Sequence, residues 1–137
     1  MSLAVAPANG GGVLARPNTI LVVDHRETIR RVLALILESE GYQVVSTDTA
    51  SAAVALAFEI QPAAVMLDLS LTRHSAMMAL HALKADHRTA NVPVILLTEC
   101  HSALSESDRA LAAAVLTKPL DLDGLVARVQ GLVSQAI

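Results

Sequence analysis

Short aliphatic runs that each stop at a polar residue recur along the chain, and a stretch of helical spacing follows each one. Ile20-Leu21-Val22-Val23 stops at Asp24, Ala64-Val65-Met66-Leu67 at Asp68, Val94-Ile95-Leu96-Leu97 at Thr98, and Val115-Leu116-Thr117 at Lys118. Runs without polar alternation suit strands covered on both faces. From Glu27 the period becomes helical, with Ile29, Val32, Leu33, Ile36 and Leu37 on one stripe and Gly41 placed to end the helix in a left-handed conformation. Residues 43–46 read as another strand, and Asp48 or Thr49 can cap a helix that Pro62 closes. Helices over 75–85 and 105–111 follow. Asp121 caps a last one, with Leu122, Leu125, Val126, Val129, Leu132 and Val133 expected inside.

Five strands alternating with five helices require a parallel sheet covered on both sides, because parallel neighbours need crossovers. Right-handed crossovers restrict this α/β chain to doubly wound topologies. The 137 residues are enough for one domain, and 53% of them are hydrophobic. Only Tyr42 and Phe58 are aromatic, so Ala, Val, Leu and Ile must build the core. Residues 1–18, with Pro7, three successive glycines and Pro17, read as a mobile leader before an ordered domain over 19–137.

Ten basic and thirteen acidic residues give a net charge of −3. With no basic cluster beyond Arg30-Arg31 and almost no aromatics, direct nucleic-acid binding is not expected. No apolar run approaches the roughly 18–20 residues that cross a bilayer. The lone Cys100 cannot form an internal disulfide, which suits a cytoplasmic setting.

Doubly wound sheets place their ligands outside the carboxyl ends of the strands. There stand Asp24, Asp68, Thr98 and Lys118. Two carboxylates, a hydroxyl and an ammonium suit a divalent cation and a phosphoryl group. The chain has no glycine-rich phosphate loop and no assignable Ser/His/Asp or Cys/His set, which argues against an enzyme.

The four runs, in this order, resemble the signature blocks of bacterial response-regulator receiver domains, from Thr19 to the end of the chain. The resemblance implies a flavodoxin-like sheet of order 2-1-3-4-5 with five helices. It implies that Asp68 is a phosphoacceptor in a two-component system, taking its phosphoryl group from a phosphohistidine on a sensor histidine kinase or phosphotransfer protein. Mg2+ would be held by Asp24, Asp68 and the backbone carbonyl of Ser70, with Thr98 and Lys118 contacting the phosphoryl oxygens. Lys118-Pro119 would be cis. The face of the fourth helix, fifth strand and fifth helix, with Leu111, Val115 and Leu125, would be the place for a homodimer.

The pattern also breaks. His25 stands where the family has a second acidic residue, which removes an anionic oxygen and predicts weak Mg2+ binding. Imidazole suits transition metals better, although a solvated side chain at the rim is the plainer reading of His25. The stretch 69–76 lacks the family's Met-Pro and Asp-Gly pairs. Glu99 replaces a small residue, and Val115 replaces the aromatic ring that usually couples to the hydroxyl. His74, His81, His87 and His101 read as surface residues, and Met77 and Met78 as one core and one surface residue. These departures support an alternative, a degenerate receiver serving as a constitutive protein-interaction module. The chain ends directly after the last helix, which leaves open both a single-domain regulator and part of a larger protein.

Overall fold

The computed structural model describes residues 16–70, 73–100 and 104–135. Strand β1 (Arg16–Val23) leads into α1 (Glu27–Ser39), β2 (Gln43–Thr47), α2 (Ala50–Ile60) and β3 (Pro62–Asp68). Then come α3 (Arg73–Ala85), β4 (Val94–Thr98), α4 (Glu106–Leu111), β5 (Ala114–Thr117) and α5 (Leu122–Gln135). The strands form one parallel sheet of order β2-β1-β3-β4-β5, the doubly wound topology expected.

The central strands β1, β3 and β4 carry continuous apolar runs because both their faces are covered, whereas the edge strand β2 is partly polar and exposed. Leu21, Val23, Val65, Leu67, Val94 and Leu96 pack against α2 and α3. The alternate residues Ile20, Val22, Met66, Ile95 and Leu97 pack against Leu33 and Leu37 of α1 and Leu125 and Val129 of α5. On α2 the buried residues are Ala50, Ala53 and Ala57, with Val54, Leu56 and Phe58 partly buried against the same core.

Local chemistry sets the helix ends. Thr49 Oγ1 accepts from the Ala52 N–H at 3.2 Å, and Ser105 Oγ accepts from the Asp108 N–H at 3.1 Å. Gly41 follows α1 at φ 98°, the left-handed conformation expected of it. The Asp121 carbonyl accepts from the Leu125 N–H at 2.9 Å where α5 begins.

Several expectations are corrected. Strand β1 begins at Arg16, before the expected onset at Thr19, and Arg16 pairs with Pro62 across a shift of register. The rest of the expected leader lies outside the described residues. Val32 and Leu122, both placed on inner stripes, are each 39% exposed. They line an apolar groove of about 600 Å³ with Ile29, Pro119 and Leu120. Leu125 is only 1% exposed, so it belongs to the core and cannot lie on a contact face. Met77 packs on the core and Met78 is exposed, as expected. Among the described residues, no helix is long and apolar enough to cross a membrane.

Candidate functional site

Register brings the polar strand ends together. Val23 lies beside Thr47 and Leu67, Asp68 beside Leu97, and Thr98 beside Thr117. Asp24, Asp68, Thr98 and Lys118 therefore emerge at one edge of the sheet, where the order reverses between β1 and β3. Asp24 and Asp68 are fully buried. The Lys118 ammonium donates to Asp68 Oδ1 at 2.8 Å and stands 3.8 Å from Asp24 Oδ2. The Lys118-Pro119 bond is cis, as the resemblance implied.

Ser70 contributes more than the backbone carbonyl considered for it. Its N–H donates to Asp68 Oδ1 at 3.0 Å, and its hydroxyl donates to Asp68 Oδ2 in a short hydrogen bond. Both oxygens of Asp68 thus carry donors. A serine two residues beyond an aspartate is the sequence signal for such a turn.

Around Asp24 the start of α1 is tied down. The Arg26 N–H donates to Asp24 Oδ1 at 2.9 Å, and Arg30 Nη1 donates to the Asp24 carbonyl at 2.8 Å. Asp24 Oδ2 is enclosed and receives no hydrogen bond. Burial pushes the Asp24 carboxyl above its ordinary pKa; the Arg26 N–H opposes this, and the neighbouring Asp68 charge adds to it. Burial acts on Asp68 in the same direction. There the Lys118 ammonium and the two Ser70 bonds outweigh it and hold the carboxyl below its ordinary value. The Lys118 and Ser70 contacts favour the ionised form of Asp68, whereas burial disfavours that form at Asp24.

His25 turns toward the carboxylates. Its Nδ1 lies 3.8 Å from Asp24 Oδ1 and 3.8 Å from Asp68 Oδ2, while its side chain is 48% exposed. Asp24, His25 and Asp68 can each offer a ligand atom within 4.8 Å of the others, the one such group of three among the described residues. An enclosed carboxylate oxygen with no donor fits a cation, so the residues suit a divalent ion.

Thr98 is buried at the same edge, but its hydroxyl is engaged elsewhere. It accepts from the Cys100 N–H at 3.1 Å and donates to the Cys100 carbonyl at 3.3 Å. Among the described residues, no hydrogen bond joins it to Asp68. Glu99 is exposed and lines the apolar groove with Arg26 and Lys118. Val115 packs against the core on the α2–α3 side, with no ring to move. Of the histidines read as surface residues, His81 is exposed as expected, and its Nε2 lies 3.0 Å from Asp108 Oδ1 of α4. Residues 27 positions apart meet here only because α3 and α4 pack together. His74 and His87 are exposed, and His101 lies outside the described residues.

These features define a doubly wound α/β domain with a carboxylate–ammonium pocket at its topological switch point. The response regulator receiver domain family model matches residues 20–130, and the chain belongs to that family. It is 34% identical over 116 residues to the DNA-binding dual master transcriptional regulator RpaA of Synechocystis, covering 82% of this chain and 48% of that one. A response regulator from Chloroflexus aurantiacus superposes with a TM-score of 0.78 at 25% identity, covering 87% of this chain and 99% of the other. The receiver domain of the sensor histidine kinase PA1611 from Pseudomonas aeruginosa, solved with magnesium in its active-site cleft, shares the fold. Its TM-score is 0.76 at 23% identity, covering 85% and 98% of the two chains. The chain spans about half the length of RpaA and of the other long regulators it matches. It is a receiver domain of the two-component type, a signalling module.

Proposed function

We propose that Asp68 is the phosphoacceptor of this receiver, modified by a sensor histidine kinase or phosphotransfer protein in the cytoplasm. The observation that carries the reading is the buried Asp68 carboxylate, held ionised by Lys118 at 2.8 Å, beside an Asp24 oxygen that has no donor. In the transfer, an Asp68 oxygen bonds to phosphorus, the phosphorus–nitrogen bond of the donor breaks, and the imidazole leaves with the electron pair. Lys118 neutralises charge on Asp68 before transfer and on a phosphoryl oxygen afterwards. Asp24, Asp68 and the Ser70 carbonyl are the residues that would hold Mg2+, which supplies charge neutralisation when bound. That binding is weak, because His25 replaces an anionic oxygen. Thr98 contributes only if its hydroxyl leaves the Cys100 backbone for the phosphoryl group.

Two observations favour a second reading, a constitutive interaction module. The Thr98 hydroxyl is already satisfied by Cys100, and Val115 has no ring to couple to it. A homodimer across α4, β5 and α5 would have Leu111 and Val115 available and Leu125 excluded.

The test is treatment with acetyl phosphate, or with beryllofluoride, in the presence of Mg2+, followed by intact mass and amide spectra. The phosphoacceptor reading expects modification or spectral shifts that vanish in Asp68→Asn. A protein that stays silent at tens of millimolar Mg2+ supports the constitutive module instead.

A further inference from the structure

We propose that His25 is a metal ligand and that, with Asp24 and Asp68, it makes the pocket selective for a first-row transition cation over magnesium. The inference rests on reading Asp24 and Asp68 as a cation site, and it does not require that Asp68 be phosphorylated.

The geometry comes first. His25 Nδ1 is equidistant, at 3.8 Å, from one oxygen of each carboxylate. Ligand atoms at about 2.0–2.2 Å from an octahedral ion lie about 3 Å apart when adjacent and about 4.2 Å apart when opposite. The observed spacing falls between these limits, so binding requires only small side-chain shifts. The two oxygens of Asp68 are also divided in use. Oδ1 accepts from Lys118 and the Ser70 N–H, whereas Oδ2 faces His25 and, among the described residues, accepts only from the Ser70 hydroxyl. The ammonium and the cation therefore do not compete for one atom.

An independent observation points to a missing ligand. Asp24 Oδ2, the carboxylate oxygen farther from His25, is enclosed and accepts no hydrogen bond, the Lys118 ammonium standing 3.8 Å away, while Oδ1 is bonded to the Arg26 N–H. Leaving a buried carboxylate oxygen without a donor is costly, and a coordinated cation removes that cost. His25 itself sits on fixed backbone, between an Asp24 carbonyl held by Arg30 and an Arg26 N–H bonded to Asp24. Little ordering is left to do when it binds.

Ligand chemistry then decides the metal. Magnesium takes oxygen donors and depends on their negative charge. The two carboxylates are offset by the Lys118 ammonium and by the Arg26 guanidinium, 3.5 Å from Asp24 Oδ1, so the pocket carries little net negative charge, and imidazole adds none. Iron, cobalt, nickel, copper and zinc accept imidazole nitrogen more readily than magnesium does. The half-exposed His25 also leaves one side of the pocket open to water, so coordination positions remain for a phosphoryl oxygen.

The experiment titrates Co2+ into the intact chain, read by visible absorption and calorimetry, and Mg2+ in parallel. Wild type is compared with His25→Ala, His25→Asp and Asp24→Asn, with circular dichroism confirming that each variant is folded. His25→Ala is expected to weaken Co2+ by about tenfold or more while moving Mg2+ by less than about threefold. His25→Asp is expected to tighten Mg2+ by about tenfold and to narrow the Co2+/Mg2+ preference. Asp24→Asn is expected to abolish the His25-dependent Co2+ spectrum, which separates this pocket from cobalt held by the surface histidines. Co2+ affinity unchanged in His25→Ala overturns the proposal, as does an equal loss of both metals. A His25-dependent Co2+ spectrum in a protein that acetyl phosphate never modifies would support this proposal while ending the phosphoacceptor reading.

Discussion

Lys118 Nζ lies 2.8 Å from Asp68 Oδ1, a contact between an 11% exposed ammonium and a fully buried carboxylate at the ends of strands that are not neighbours. Strand β4 separates them, and the lysine reaches past it. This pair favours the ionised form of Asp68 inside a pocket where burial by itself pushes the carboxyl pKa up.

Removing the cation should therefore destabilise the fold as well as the chemistry. Lys118→Met is expected to lower the unfolding free energy by roughly 3 kcal/mol at neutral pH, since it leaves a buried charge uncompensated. Asp68 is held below the ordinary carboxyl value of 3.8. Its contribution is therefore present above that value and is lost as pH falls through the depressed one. Urea denaturation at neutral and acid pH checks this: the gap between wild type and variant should narrow in acid. A gap independent of pH would mean that packing of the lysine stem, and not its charge, matters.

The opposite sign is expected at Asp24. Its pKa is raised, so the charged form costs stability at neutral pH, and that cost disappears as pH falls through the raised value toward 3.8. Asp24→Asn should raise stability by roughly 1–3 kcal/mol at neutral pH and by little in strong acid. Adding a divalent cation should erase the advantage, because the cation binds and stabilises only the wild type. Thermal melts with and without the cation read both effects.

The hydroxyl of Ser70 occupies a lone pair of the oxygen that faces His25. Ser70→Ala keeps the backbone N–H bond to Oδ1 but frees Oδ2, which makes that oxygen more nucleophilic. Modification by acetyl phosphate should accelerate, by up to about tenfold if the lost bond is worth ~1.4 kcal/mol. A slower variant would show instead that the hydroxyl holds the carboxylate in its reactive orientation.

Phosphorylation should also redirect Thr98. If its hydroxyl turns from the Cys100 backbone to a phosphoryl oxygen, the Cys100 amide loses its acceptor. Beryllofluoride should then shift the Cys100 amide resonance in wild type, and the shift should be absent in Thr98→Val. An unmoved Cys100 amide in a modified protein would leave Thr98 out of the switch.

Much of this was legible in the residues alone, for a local reason. A strand covered on both faces must be apolar for its whole length, and it must end where the chain meets a polar pocket. The runs before Asp24, Asp68, Thr98 and Lys118 thus marked both the sheet and its functional edge. Helix stripes were less exact. Val32 and Leu122 have the right period but face an open groove, and Leu125, expected on a contact face, turns from α5 into the core. Period reports which residues share a face, not whether something covers it.

The sequence by itself determined the α/β alternation, the polar strand ends and the identity of the group that replaces the second acid. Only the tertiary structure decided what those groups do to one another. The turn of His25 toward two carboxylates, the clasp of Ser70 on Asp68, the hold of Cys100 on Thr98 and the meeting of His81 with Asp108 all depend on how separate elements or loop backbones approach. Hydrogen bonds and ion pairs act over about 3–4 Å, and distances that small are set by the packing of the whole sheet and its helices, not by spacing along the chain.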